Sequence, residues 1–226
     1  MRISDNLKAF KMELDPIGVK LIAVSKTKPE EMIREAYEAG QRAFGENIVQ
    51  EMVDKQATLP ADIEWHMIGH LQTNKVKYIA PFIHLIHSVD SFKLLNEINK
   101  QALRNKRVID CLLQIHIADE ETKFGFYHDE VVDLLRSEEF ALLKNVRITG
   151  LMTIATNTEN QNHVREDFYE LATLFKGIKQ VFFRKAPHFS ELSMGMTQDY
   201  KLAIEQGSTM VRIGSAIFGG RKSAGK

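Results

Sequence analysis

The feature that most constrains the fold is an alternation that runs the length of the chain: short, dense apolar runs separated by longer segments with helical apolar spacing. Runs this short and dense read as strands buried on both faces. The amphipathic segments between them read as crossover helices, so the pattern is that of βαβ units around a parallel sheet. The first run is KLIAVSK, Lys20 to Lys26. Pro29 then opens a helix in PEEMIREAYEAG, where Met32, Ile33, Ala36 and Tyr37 share one face. Glu30 and Glu31 suit its N-terminal dipole and Gly40 marks its stop. Further strands are expected at Arg42 to Gly45, Glu64 to Ile68, Leu85 to Val89, Val108 to Ile117, Ile148 to Ile154, Glu191 to Ser193 and Met210 to Ile213, eight in all. Helices are expected between them at Ile48 to Thr58, Lys75 to Ala80, Phe92 to Asn105, His128 to Leu135, Asn160 to Gly177 and Gln198 to Gln206. This string predicts an α/β fold: a single (β/α)8 TIM barrel, one domain over residues 1–226, with an extra N-terminal helix. An open doubly wound sheet would give a similar string and stays as the alternative.

Composition matters for what it excludes. Thirty Lys plus Arg balance thirty Asp plus Glu, so no basic field is available to hold a phosphodiester backbone, and nucleic acid is not an expected partner. With 44% apolar and 27% charged residues, the 226-residue chain has material for both a core and a solvated surface. No stretch is long and apolar enough to span a bilayer, and the opening MRISDNLKAFKMEL lacks the apolar core of a secretion signal. The one cysteine, Cys111, allows no internal disulfide and sits in apolar VIDCLLQI, where a buried inert thiol is expected. No membrane partner and a reducing, cytoplasmic location are the expectations.

Barrels of this kind carry their chemistry where strands end at the carboxyl side, so the residues just past each apolar run are the candidates. Lys26 ends the first run. Facing the barrel mouth, its amine would be able to attack an aldehyde; by position alone, Lys26 and Lys28 read as solvated loop lysines. Small residues gather after the last two strands, in FSELSMGMTQDY and MVRIGSAIFGG. Gly195 admits close approach of a ligand to backbone, Ser193 offers a hydroxyl, and Thr197 is expected to cap the helix through Tyr200. Gly214 and Ser215 repeat the device after the last strand. Arg212, inside otherwise apolar MVRIG, needs an acceptor if buried. Taken singly, each turn reads equally as an ordinary glycine turn with a structural ion pair. Together they give an amine at one edge, an anion cradle at the other and a cation between, which are the requirements of pyridoxal 5′-phosphate.

The segments LIAVSKTKP, FGENIVQE, WHMIGHLQTNK, IHSVDS, KFGF, GLMTIA and ELSMGMTQDYKLAIEQGSTMVRIGSAIFG carry a resemblance in order and spacing over essentially the whole chain. The chain resembles the pyridoxal phosphate homeostasis protein family, also called the proline synthase co-transcribed proteins. The resemblance implies a fold type III cofactor-binding barrel like the N-terminal domain of alanine racemase, with Lys26 holding pyridoxal 5′-phosphate as a Schiff base. It implies Ser193, Gly214 and Ser215 at the phosphate, Arg212 against the pyridine nitrogen, and Asn47 and Met152 lining the cofactor. The family often carries Ser where Thr197 stands and Thr where Ser215 stands, and both exchanges keep a hydroxyl.

The resemblance further implies a role in vitamin B6 and amino-acid balance without an established reaction. The expected partners are the cofactor itself, the apo-enzymes that depend on it, and amino acids. Arginine beside the ring nitrogen leaves a poor electron sink. Two-domain relatives also add a β-domain for which the seven residues after Gly219 leave no room, so the expectation is a carrier with an open cofactor face. The alternatives are a weak amino-acid racemase or decarboxylase, and an aldolase whose lysine meets a sugar phosphate. His66 and His70 have the spacing of a helical zinc pair, but the segment reads as strand and turn, so no metal is expected. His84 and His87 read as satisfied core or loop residues.

Overall fold

Strands that must be covered on both faces have two ways to end a sheet: leave two edges, or close. The computed structural model, which describes residues 2–117 and 124–220, closes it. Its strands are β1 (Lys20–Val24), β2 (Ala43–Glu46), β3 (Glu64–Met67), β4 (Leu85–Val89), β5 (Ile109–Gln114), β6 (Val146–Met152), β7 (Glu191–Met196) and β8 (Met210–Ile213). They are parallel and in sequence order, and β8 pairs with β1 from Lys20↔Met210 to Ala23↔Ile213, which rules out the open sheet. The helices are α1 (Ile3–Leu14), α2 (Glu30–Glu38), α3 (Val49–Thr58), α4 (Val76–Ile79), α5 (Phe92–Arg104), α6 (His128–Arg136), α7 (Glu138–Ala141), α8 (Gln161–Phe182), α9 (Tyr200–Glu205) and α10 (Ser215–Phe218).

The outer core lies between the sheet and this helical ring, and a second, inner cluster of Ile22, Leu85, Leu112, Met152 and Met210 fills the barrel. The extra helix α1 buries Ile3, Leu7 and Leu14 and packs on β1, α2 and α10. It is pinned there: the Ile3 N–H donates to Glu35 Oε1 at 3.1 Å, and Asn6 Nδ2 donates to the Ile217 carbonyl at 3.0 Å. Since α10 is a single turn, α1 supplies the cover that the last crossover position would otherwise lack.

The boundaries differ from expectation where tertiary contact outweighs local pattern. β7 runs three residues past Ser193, because Met194 is buried and Gly195 supplies a positive φ of 93°. β1 stops at Val24, two residues short, where Ser25 turns the chain. α8 continues through Gly177 to Phe182, carried by burial of Ile178 despite the cost of an internal glycine. α7 and α10 are single turns that periodicity does not reveal.

Candidate functional site

The turns after β1, β6, β7 and β8 enclose a cavity of about 1120 Å³ at the carboxyl end of the barrel. Side chains alternate along a strand, so Lys26 shares the inward parity of Ile22 and Val24 and emerges two residues beyond the strand's end. It lies half-buried on the cavity wall. Lys28, also on the wall, is not a solvated loop lysine. Its Nζ donates to the carbonyls of Gly219 at 2.7 Å and Gly220 at 3.1 Å, tying the end of α10 to the turn after β1.

Behind Lys26 is a buried ion cluster. Lys55 Nζ, on α3, donates to Glu46 Oε1 at 2.7 Å, Glu51 Oε1 at 2.6 Å and the Ser25 carbonyl at 2.8 Å. Ser25 Oγ donates to Glu46 Oε1 at 2.6 Å, and the Thr27 N–H donates to Glu51 Oε1 at 2.6 Å. Both neighbours of Lys26 are therefore anchored, Thr27 in the left-handed region at φ 63°. Burial raises the Glu46 carboxyl above its ordinary pKa, with the Lys55 charge and hydrogen bonds opposing it. Nothing in the sequence pattern singled out this cluster; its trace is a glutamate at the end of an apolar strand and the i,i+4 pair Glu51 and Lys55.

The turns after the neighbouring strands β7 and β8 carry Thr197, Gly214 and Ser215. The Gly214 N–H points to Thr197 Oγ1 at 3.4 Å, and a Cβ at Gly214 would lie 3.2 Å from Val24 Cβ, so glycine keeps this backbone tight against β1. Thr197 does not cap α9; Asp199 occupies the N-cap position, its Oδ1 accepting from the Met196 N–H at 2.5 Å. Burial raises the Asp199 carboxyl, with that hydrogen bond and the Arg212 charge opposing the shift. The Tyr200 hydroxyl donates to Glu13 Oε2 at 3.0 Å, and burial together with that bond pushes its pKa up to about 12.

The other expected residues lie elsewhere. Ser193 is fully buried inside the barrel, with Oγ 2.7 Å from Arg212 Nη1 and 2.9 Å from His87 Nδ1, so it offers no hydroxyl to the cavity; Thr197 does. Gly195 lets β7 pass close to α9: a Cβ there would come within 2.6 Å of Ala203 Cβ and 2.9 Å of Tyr200 Cα. Met152 is fully buried in the inner cluster, one layer below Ile154 on the wall. Arg212, 4% exposed, finds its acceptors in the Ser193 carbonyl at 2.9 Å and the Thr153 carbonyl at 2.9 Å, and burial lowers its pKa to about 10. Asn47 follows β2, half-buried, and its Oδ1 has no hydrogen-bond partner among the described residues. Lys123, the lysine of KFGF, lies outside the described residues.

The sequence pair His66 and His70 is split by the fold: exposed His70 Nδ1 sits 3.0 Å from Asp90 Oδ2, whereas His66 is buried among the barrel strands. Cys111 is buried, and burial raises its thiol well above the ordinary range.

The chain matches the family model for the N-terminal domain of alanine racemase over residues 1–222. It is 45% identical over 205 residues to the pyridoxal phosphate homeostasis protein of Aquifex aeolicus, covering 90% of this chain and 87% of that one. It is 37% identical to PipY of Synechococcus elongatus, covering 96% of this chain and 100% of that one, with TM-scores of 0.88 to the structure without pyridoxal phosphate and 0.86 to the one with it bound. Alanine racemase of Bartonella henselae shares the fold at 15% identity and a TM-score of 0.70, over 99% of this chain and 60% of that one.

Proposed function

The chain belongs to the alanine racemase N-terminal domain family and, within it, to the pyridoxal phosphate homeostasis proteins, and from that premise we propose how its cavity binds pyridoxal 5′-phosphate. The observation that carries the reading is that a lysine amine and small-residue turns line one cavity: Lys26 after β1, Thr197 after β7, and Gly214 and Ser215 after β8, which pairs with β1. The residues fit the group. Backbone N–H and hydroxyl donors suit a phosphate ester, and an anchored amine suits an aldehyde. Asn47 Oδ1 is a buried acceptor with no partner among the described residues, as expected of an atom that meets a ligand.

When bound, the cofactor supplies an aldehyde carbon and an electron-withdrawing ring. Lys26 attaches that carbon, and the clamps on Ser25 and Thr27 hold the amine in place. Thr197, Gly214 and Ser215 grip the phosphate. Arg212 supplies positive charge from beneath, held by carbonyls that leave its orientation fixed. Gly195 and Ser193 support these groups from behind, and Met152 fills the floor. The Tyr200 hydroxyl, engaged with Glu13 and shifted to about 12, is poorly placed to move protons near neutrality, which favours a holding role over turnover. The cavity exceeds the roughly 300–1,000 Å³ of ordinary ligand pockets, leaving room for an amino acid or a segment of an apo-enzyme beside the cofactor. We place this barrel, as one unit over residues 1–226, in the cytoplasm; among the described residues no helix is long and apolar enough to cross a membrane.

The test is to load the protein with pyridoxal 5′-phosphate, reduce it with borohydride and map the adduct by mass spectrometry. The adduct is expected on Lys26. Lys26→Ala is expected to keep its far-ultraviolet circular dichroism and lose both adduct and visible absorbance, since a cavity-wall lysine is not core. An adduct on Lys28 or Lys201, or full labelling in Lys26→Ala, would overturn the assignment.

A further inference from the structure

At the amino-terminal mouth of the barrel, opposite the cofactor cavity, β3 begins with Glu64 and His66 on the same face. Pairing of β3 with β4 brings His84 alongside: its N–H donates to the Trp65 carbonyl at 2.9 Å, and its ring centroid lies 5.2 Å from that of His66. One ligand atom from each of Glu64, His66 and His84 lies within 4.8 Å of the others. His66 is 3% exposed, yet its Nε2 has no hydrogen-bond partner among the described residues. A buried ring nitrogen left unpaired costs about 1–3 kcal/mol, so it calls for an explanation.

The other ring nitrogen supplies one. His66 Nδ1 is 2.9 Å from His87 Nε2, and His87 Nδ1 is 2.9 Å from Ser193 Oγ, which accepts from Arg212 Nη1 at 2.7 Å. Arginine only donates, so one lone pair of Ser193 Oγ is fixed. Both imidazoles are buried, and a neutral imidazole carries a single N–H. If His66 donates from Nδ1 to His87, and His87 donates from Nδ1 to Ser193, both ring contacts are made and His66 Nε2 is left as a bare lone pair in the cluster with Glu64 and His84. That is the state of a histidine bound to a metal, whose second nitrogen donates to a fixed acceptor.

We propose that Glu64, His66 and His84 form a binding site for a divalent transition metal of the zinc class, separate from the cofactor cavity. Two imidazoles and one carboxylate suit zinc and not magnesium or calcium, which prefer all-oxygen shells. Three protein ligands leave a fourth position for water. Bonds of about 2.1 Å put tetrahedral ligands about 3.4 Å apart, so the exposed Glu64 and His84 side chains must close in on the fixed His66 by about 1 Å. The nearby Lys20 ammonium opposes a cation, but it is paired with Glu191 Oε1 at 2.5 Å. Glu64 and His66 share a face of β3, but His84 joins them only through the pairing of β3 with β4, so spacing along the chain did not reveal the site.

The test uses untagged, chelator-stripped full-length protein, titrated with Zn²⁺ against a chromophoric chelator, and with Co²⁺ to read four-coordinate d–d absorbance. Wild type is expected to bind one equivalent. Glu64→Gln and His84→Ala, both exposed positions, are expected to weaken binding at least about tenfold each, and the surface control His188→Ala to change nothing. Zn²⁺ should raise the Tm of wild type and not of the Glu64→Gln/His84→Ala double variant. Absence of binding, or equal affinity in wild type and double variant, would overturn the site. None of these readouts depends on pyridoxal 5′-phosphate.

Discussion

Removing the cation from the cluster behind Lys26 tests the account of how that amine is held. The Lys55 side chain is 7% exposed and that of Glu46 0%, and Glu46 Oε2 has no partner among the described residues even with Lys55 present. Lys55→Met keeps most of the stem and deletes the ammonium, leaving Glu46 with Ser25 Oγ as its remaining donor among those seen. Stranding one member of a buried pair costs about 3–5 kcal/mol, and that is the expected loss at pH 7, read by urea unfolding through the single buried tryptophan, Trp65. Adding Glu46→Gln removes the stranded charge and is expected to restore about 2 kcal/mol. The pH dependence has a definite sign. Burial already raises the Glu46 pKa and Lys55 opposes it, so the variant raises it further. A carboxyl whose folded pKa lies above its unfolded value of about 4.3 takes up its proton first in the folded state. The deficit should shrink as the pH falls from the raised folded pKa towards about 4.3, and be complete above it. Because Lys55 also holds the Ser25 carbonyl, cofactor trapping on Lys26 should drop together with stability. A Lys55→Met protein within about 1 kcal/mol of wild type at pH 7, or a double variant no better than the single, would refute the reasoning.

Two further substitutions separate the support of the site from its ligand contacts. Gly195→Ala must tolerate φ 93° and a Cβ 2.9 Å from the Tyr200 backbone, so a loss of about 2–5 kcal/mol is expected in urea, and unchanged stability would show that α9 has slack. Thr197→Val removes a hydroxyl from the phosphate wall and should weaken pyridoxal 5′-phosphate about tenfold or more while leaving unphosphorylated pyridoxal unaffected; equal losses for both would remove Thr197 from the phosphate site. Ser193→Ala should do the reverse, costing about 1–3 kcal/mol of stability by depriving His87 and Arg212 of a partner, with no preference for the phosphorylated vitamer.

The barrel was legible because its strands are covered on both sides. The dense runs LIAV and LIHSV are buried throughout, and a strand of that kind cannot be mistaken for an amphipathic helix such as α5, which buries Leu94, Leu95, Ile98 and Ala102 at helical spacing. That Lys26, Gly214 and Ser215 lie at the carboxyl end of the barrel was legible because each follows a dense apolar run; that they line one cavity was not, since by position alone each has an ordinary loop reading.

What the sequence by itself determined is the order of elements and the end of the barrel where the lysine and the small-residue turns emerge, since both follow from local periodicity. Depth was decided by tertiary structure. Ser193 and Thr197 are hydroxyl residues four apart, and only the fold shows that the first lies within β7, sealed under Arg212, and the second just past it, on the cavity. The same holds for Glu46 and Lys55, from β2 and α3, and for the approach of His84, just before β4, to Glu64 and His66 on β3. Their proximity is created by parallel pairing around a closed ring, a long-range contact that leaves no periodic trace in the chain.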